Sequence, residues 1–309
     1  MSASATIGCI GKLPLFGDFV RLNGEISPCL SALDRWLQQG IENGYMQEGR
    51  PFEAKLRSFQ PTRIVCWSAA DSGWSGLLMP SADQVGRVYP ILTGWQHTNP
   101  VTPDVMPLVG REEAEGLQAF VEKAQAERPA LDAFLQDLNA TTLSPGAPGA
   151  CAKLEEFLRE SSLESLCRGW VDGGIPQRRA RALYDLAQLR QPPAPPRYLT
   201  VIPYSGRCEE VGFWLRLIAA SMPTPLTPSL VAWPAGKEAS GSIRILFDRL
   251  EARYMAPVLW PQDCARSTLD LHASSLGRRE PADFAPFAAA VGSAGTLRQL
   301  LDTVQRHFQ

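Results

Sequence analysis

Two hydrophobic periods organise this chain. From Arg63 to Ala69, Val65, Trp67 and Ala69 fall on one side and Ile64, Cys66 and Ser68 on the other, the two-residue repeat of a strand. Trp74 to Met79 and Val88 to Trp95 predict two further strands, with Asp71-Ser72-Gly73 as a short turn after the first. Links this short predict an antiparallel meander, because a parallel connection needs a crossover of about a dozen residues. Ala5 to Gly11 predicts an earlier strand, small and β-compatible. A helix follows it, with Ser27 as N-cap, Pro28 at the first helical position, and Leu30, Leu33, Leu37 and Ile41 on one face. Trp36 flanks that stripe, and Gly40 and Gly44 are expected to weaken the helix toward its end.

Helical spacing resumes from Glu112 to Leu138, in two pieces because Pro129 interrupts it. The tract Ser144-Pro145-Gly146-Ala147-Pro148-Gly149 combines turn formers with nothing to bury and predicts a boundary. Helices are expected over Ala152 to Leu166 and Gln177 to Arg190. Pro192-Pro193-Ala194-Pro195-Pro196 then reads as a stiff, extended linker. Beyond it the pattern predicts strands at Arg197 to Pro203, Ser229 to Trp233 and Ser242 to Phe247, with a helix at Glu209 to Ala220. Leu297, Leu300, Leu301, Val304 and Phe308 form the apolar face of a closing helix. The expectation is an α/β (α+β) protein of two layered units, a mainly antiparallel sheet flanked by helices, with a helical middle segment. The units are residues 1–143 and residues 150–309, the second with a helical lead-in (150–191) and the proline linker (192–196).

Composition narrows the function classes. The 309 residues are 45% hydrophobic and 20% charged, ordinary for a soluble globular protein, and their number favours two domains. A formal charge of −2 gives no extended positive field, so neither nucleic acid nor membrane insertion is expected. Met1 to Gly11 has no basic region ahead of an apolar core, and no stretch reaches the roughly 18 apolar residues of a membrane span. A cytoplasmic location is expected. Seven scattered cysteines without a C-x-x-C pair point to reduced, mostly buried thiols rather than disulfides or zinc.

Two glycine-and-acid segments carry the candidate chemistry: GKLPLFGDFV at residues 11–20 and GLLMPSADQVGRVYP at residues 76–90. Glycine, proline and a lone carboxylate between strand-like residues suit shaped loops at a sheet edge. Gly11-Lys12 fails as a phosphate loop, because Thr6 stands where a glycine is needed and Leu13 where a Ser or Thr would reach the metal; Gly236-Lys237 fails similarly. Cys66 and His97 are the minimum for a thiol nucleophile with a base, yet Cys66 falls mid-strand, where a buried thiol is commonplace. Three histidines without metal-ligand spacing argue against a histidine site, and no cofactor or metal is expected.

Asp18 and Asp83 can approach each other with Lys12 and Arg87. Three readings stay open: loop bracing through backbone N–H bonds and an Asp–Arg pair, a partner-facing surface, or an acid and base pair for hydrolysis. Phe16 beside Asp18 and Arg87 suits an anchor with a charged rim. Among the clustered tryptophans, Trp67 reads as core, whereas Trp36 and Trp74 are candidates for partner contact. Arg178, Arg179 and Arg181 read as the solvated face of a helix.

The motifs together carry a resemblance. Gly11-Lys12-Leu13-Pro14, Gly17-Asp18-Phe19-Val20, Asp34-Arg35-Trp36-Leu37, and Gly76 with Met79-Pro80-Ser81, Asp83, Val85-Gly86-Arg87 and Tyr89-Pro90 resemble the TagF (also called ImpM) family of type VI secretion-associated proteins, over roughly residues 8–96. Gly212-Phe213-Trp214 and Pro228-Ser229-Leu230-Val231 are only loosely similar to its second half. The resemblance implies a cytoplasmic, non-enzymatic regulator that represses secretion after translation. It also implies binding to a forkhead-associated scaffold protein, linked to a Ser/Thr kinase and phosphatase pathway. By position, the residues carried over are Gly11, Pro14, Gly17, Asp18, Pro80, Ser81, Asp83, Gly86, Arg87 and Pro90. The rival expectations are a structural or assembly subunit of the secretion apparatus and a hydrolase using Asp18 and Asp83.

Overall fold

The computed structural model describes residues 5–23, 27–67, 73–97, 101–141, 147–167, 176–187, 199–221, 227–236, 239–247, 249–261, 268–270 and 282–308. Among these residues nine strands are β1 (Ile7–Gly11), β2 (Val20–Leu22), β3 (Thr62–Trp67), β4 (Gly73–Met79), β5 (Ile91–Gln96), β6 (Leu199–Tyr204), β7 (Leu230–Pro234), β8 (Gly241–Leu246) and β9 (Thr268–Asp270). The helices are α1 (Pro28–Glu48), α2 (Arg50–Ser58), α3 (Arg111–Glu127), α4 (Leu131–Ala140), α5 (Ala147–Glu160), α6 (Leu163–Leu166), α7 (Pro176–Ala187), α8 (Cys208–Ser221), α9 (Met255–Leu259), α10 (Phe284–Ser293) and α11 (Leu297–Phe308).

The strands form one sheet in the order β2-β1-β5-β4-β3-β7-β8-β6-β9. Every pairing is antiparallel except β6 with β9. β3, β4 and β5 make the expected meander. The two stretches that read as separate α/β units share this sheet: β3 pairs with β7 from Thr62↔Pro234 to Cys66↔Leu230. Sequence periodicity carries no record of such a pairing, because it is fixed by which edge each half leaves open.

The two-residue period sorts the core onto two faces. Ile64, Cys66, Trp74, Leu78, Leu92, Leu230 and Ala232 pack with α1, α2 and α9 on one side. On the other, Val65, Val231, Trp233, Ile243 and Ile245 meet α5, α7, α8, α10 and α11. Leu77, Met79, Ile91 and Trp95 lie beneath α3 and α4.

Ser27 caps α1 as its sequence predicts, its Oγ accepting from the Leu30 N–H at 3.2 Å. The helix does not weaken at its glycines; it runs on to Glu48. Gly40 and Gly44 are points of close approach instead: a Cβ on Gly40 would lie 2.6 Å from Met255 Cβ, and one on Gly44 would run into the Phe52 ring. Trp36 Nε1 reaches from α1 to the Glu251 carbonyl at 3.0 Å.

Other sequence expectations shift. Val88 stands outside β5, in an isolated bridge with Ala82. The boundary tract does not stay free of structure, since Ala147, Pro148 and Gly149 begin α5, where a proline in the first turn breaks no helical bond. Arg181 is buried rather than solvated, paired with Asp185 at 3.0 Å and set against the Tyr184 and Phe284 rings. The proline linker, Asp71 and Ser72 lie outside the described residues. The short β2, β9, α2, α9 and α10 had no expectation attached to them.

The glycines of α1 and α3 separate two effects of adding a methyl group. Gly116 on α3 faces open space, so Gly116→Ala should raise stability by about 0.5–1 kcal/mol through helix propensity. Gly40→Ala gains the same propensity but overpacks Met255 and should lower stability by about 1–3 kcal/mol. Thermal and denaturant melts of the two variants should therefore move in opposite directions.

Candidate functional site

The two glycine loops meet at the β1–β5 end of the sheet. Gly11 ends β1 with φ 145°, and a Cβ there would lie 2.3 Å from the Pro90 carbonyl oxygen. This close approach sets the first loop, residues 12–19, directly against the second, residues 80–90. Phe16 N donates back to Leu13 O at 3.2 Å, and Gln84 N donates across to Phe16 O at 3.1 Å.

Asp83 holds the pair together. Its Oδ1 accepts the backbone N–H groups of Val85 (3.1 Å) and Arg87 (2.8 Å), and its Oδ2 accepts Lys12 Nζ (3.0 Å) and Arg87 Nε (2.6 Å). A carboxylate offers about four acceptor positions, so Asp83 has none to spare. Burial alone would push its pKa up. The Arg87 N–H, the Lys12 ammonium and the Arg87 guanidinium outweigh that and hold the carboxyl well below its usual range. The turn closes with Asp83 N to Arg87 O at 3.0 Å and Gly86 N to Asp83 O at 3.0 Å, Gly86 taking the positive φ of 88° that favours glycine. Arg87 Nη2 donates to the Gly17 carbonyl, tying the second loop back to the first.

A second carboxylate supports this assembly from beneath. Asp34, buried on α1, accepts Tyr89 Oη at 3.0 Å through Oδ1, and Arg21 Nη2 at 3.2 Å and Gln38 Nε2 at 3.1 Å through Oδ2. Burial and the neighbouring Asp34 charge push the Tyr89 phenol up, keeping it a neutral donor. The Tyr89 ring meets Phe19 edge to face at 4.8 Å between centroids, and Lys12 Nζ lies 5.2 Å from the Phe19 ring centre. Ser81 is buried; its carbonyl accepts Tyr89 N at 3.1 Å and its Oγ accepts Gln125 Nε2 from α3 at 3.1 Å.

What this scaffold displays is mostly apolar. Phe16 is 38% exposed, Phe19 40% and Val85 73%. Around them stand Asp18, whose Oδ1 accepts the adjacent Phe19 N–H at 2.8 Å, the outer part of Arg87, and Arg57, which donates to the Gly86 carbonyl at 2.6 Å. The structure thus brings Lys12, Phe16, Gly17, Ser81, Asp83, Gly86 and Arg87 into one contiguous assembly, with Asp18 on its exposed rim. Phe19, Arg21, Asp34, Arg57, Val85 and Tyr89 belong to it too. Asp34 and Tyr89 stood within the quoted motifs, but their pairing across 55 positions leaves no local pattern.

Two site residues are not on a partner-accessible surface. Trp74 is fully buried, its indole filling the slot left by the absent side chains of Gly76 and Gly94. Trp36 is 1% exposed and bonded to Glu251, so it is anchored in the core beneath α1. Nor do Cys66 and His97 form a pair. The Cys66 thiol neighbours Cys29, which with burial pushes its pKa up, whereas His97 Nε2 meets Ser75 Oγ at 2.7 Å and burial lowers its imidazole to about 4. No group of three or more His, Cys, Asp or Glu among the described residues could hold a metal ion.

Because the folded pKa of Asp83 lies below its ordinary 3.8, its stabilisation is complete above that value and is lost as pH falls toward the folded one. Asp83→Asn should lower the melting temperature at neutral pH and speed amide exchange at Val85 and Arg87. The gap between the two melting curves should stay constant from pH 5 to 8 and narrow only below about pH 4. A gap that closes near neutrality would contradict the brace.

No curated protein matches the chain. A solved structure, PA0076 from Pseudomonas aeruginosa PAO1, is 25% identical, with a TM-score of 0.37, covering 46% of this chain and 65% of its own. The likeness thus spans less than two thirds of that structure's length. The family model described as the TagF N-terminal domain, type VI secretion system-associated, matches residues 8–141. That span holds both glycine loops, α1, the meander, and α3 and α4, so the helices after residue 111 begin inside the matched domain rather than after it. Both loops, their brace and their support fall within residues 8–141, the stretch of this chain that is similar to the type VI secretion system-associated TagF N-terminal domain.

Proposed function

We propose that this protein is a non-enzymatic, cytoplasmic regulator that represses type VI secretion after translation by binding the forkhead-associated scaffold protein of the apparatus, in a pathway tied to a Ser/Thr kinase and phosphatase. The TagF N-terminal domain supports the link to secretion. The observation that carries the binding reading is the display of Phe16, Phe19 and Val85 on two loops locked to one saturated, buried carboxylate. Exposed aromatic and aliphatic groups cost little conformational entropy to bind when their backbone is already fixed, and a charged rim supplies specificity.

The rival hydrolase draws no support from this geometry. A general acid must hold a proton and a general base must offer a free lone pair, and Asp83 does neither. No described helix is long and apolar enough to cross a membrane.

Capture of the cognate forkhead-associated scaffold tests the proposal. Phe16→Ser and Val85→Asp leave the Asp83 bonds untouched and should each weaken capture about tenfold or more, as expected of residues at the centre of an interface. The same variants should raise secretion in cells, as deletion of a repressor would. Full-strength capture by both folded variants rejects the loop patch. Stoichiometric co-purification with the assembled apparatus, with secretion lost on deletion, would favour a structural subunit instead.

A further inference from the structure

Cys208 begins α8, and its surroundings differ from those of other buried thiols. Burial pushes Cys9 and Cys167 up to about 12, and the neighbouring Cys29 together with burial pushes Cys66 up, so those three stay protonated. The Cys208 sulfur instead accepts from Arg63 Nη1 at 3.2 Å. Arg63 is itself only 6% exposed and lies 5.1 Å from the Trp233 ring centre, and its remaining guanidinium N–H groups make no hydrogen bond among the described residues. The Tyr204 hydroxyl is a second neighbour of the sulfur: burial, and then the charge that Cys208 can carry, push the phenol up and keep it a neutral donor. Two cavities meet here. One of about 250 Å³ lies between the starts of α3, α5 and α8, with Glu112 and Gly149 exposed on its rim. The other, of about 10 Å³, lies between Arg63, Gln118 and Tyr204, and Cys208 and Arg111 line both.

We infer that Cys208 is a site of oxidation by hydroperoxides, its sulfenic acid held by Arg63 and Tyr204. A sulfur bonded to a cation at the first residue of a helix is the setting in which protein thiols act as nucleophiles. The larger cavity leads a small peroxide to that sulfur, and the smaller one has room for about one water-sized guest, which suits a single added oxygen. With hydrogen peroxide, a sulfur lone pair attacks one oxygen and the S–O bond forms as the O–O bond breaks. Sulfur is oxidised and the peroxide reduced; the second oxygen leaves as water, carrying its own hydrogen and the thiol proton. The free N–H groups of Arg63 then receive the new oxygen. The opposing charges nearby are engaged or set aside: Glu115 pairs with Arg111 at 3.2 Å, Glu209 lines the larger cavity, and Glu210 accepts Ser205 N at 2.9 Å while burial raises its carboxyl pKa. Arg63 and Arg111 belong to the 8–141 stretch, and Tyr204 and Cys208 follow it, so an oxygen added here acts on the contact between the two parts. Nothing in this depends on what the glycine loops bind.

Hydrogen peroxide is the probe, added to the reduced full chain with dimedone present to trap sulfenic acid, and labelled peptides are timed by mass spectrometry. Cys151 is the internal reference, an exposed thiol that reacts by access alone. Cys208, although buried, should be trapped at least about tenfold faster than Cys151 in the native chain. In urea the two should react alike, because the Arg63 bond is gone. Arg63→Met keeps the stem over Trp233 and removes the cation, and should slow trapping at Cys208 about tenfold while leaving Cys151 unchanged. Trapping at Cys208 no faster than at Cys151, a preference that survives in urea, or a folded Arg63→Met with an unaltered rate would overturn the proposal. The native and urea comparisons use the wild-type chain, so they decide the matter even if Arg63→Met does not fold.

Discussion

The loop assembly depends on one buried carboxylate. Asp83 takes two backbone N–H groups from its own turn, one ammonium from the opposing loop and one guanidinium from four residues on. Burying a charge is costly unless it is paired and bonded, and here every acceptor position is used. The geometry is correspondingly strict. A displacement of the first loop would pull Lys12 away, and a displacement of the second would break the turn itself. A surface held this way can present Phe16, Phe19 and Val85 to solvent without those side chains folding back onto the protein.

The sheet makes this arrangement possible. β1 and β5 are neighbours, so the loop leaving β1 and the loop entering β5 emerge side by side. Gly11 lets the backbones approach to a distance no side chain would allow. Beneath them α1 offers successive residues to different tasks: Asp34 to the Tyr89 hydroxyl and Arg21, Trp36 to Glu251, and Arg35 to solvent. One turn of one helix therefore supports the loop patch through Asp34 and is itself anchored in the core through Trp36.

The carboxylates also show how a polar cluster can look catalytic in sequence and be structural in space. Asp18 and Asp83 carry the same functional group in loops of similar composition. In the fold one is exposed and, among the described residues, bonds the next residue's N–H alone, and the other is inaccessible and saturated. Trp36 and Trp74 went the other way from their expected surface role. A tryptophan near shaped loops suits an interface, but the slot above Gly76 and Gly94 and the acceptor at Glu251 exist only once strands and helices are assembled.

Local physics left a clear record in the chain. The alternation of Ile64, Val65 and Cys66, the Ser27-Pro28 helix start and the break at Pro129 are each decided by neighbours a few residues away, and each stands in the structure. The loops' glycine, proline and acid content likewise marked them as shaped. The pairing of β3 with β7, the reach of Trp36 to Glu251 across 215 positions and the burial of Asp83 were decided by tertiary structure alone. Each depends on which surfaces remain open after local elements form. A periodicity or turn signal reports what a segment does with its neighbours, and carries nothing about which distant segment will cover it.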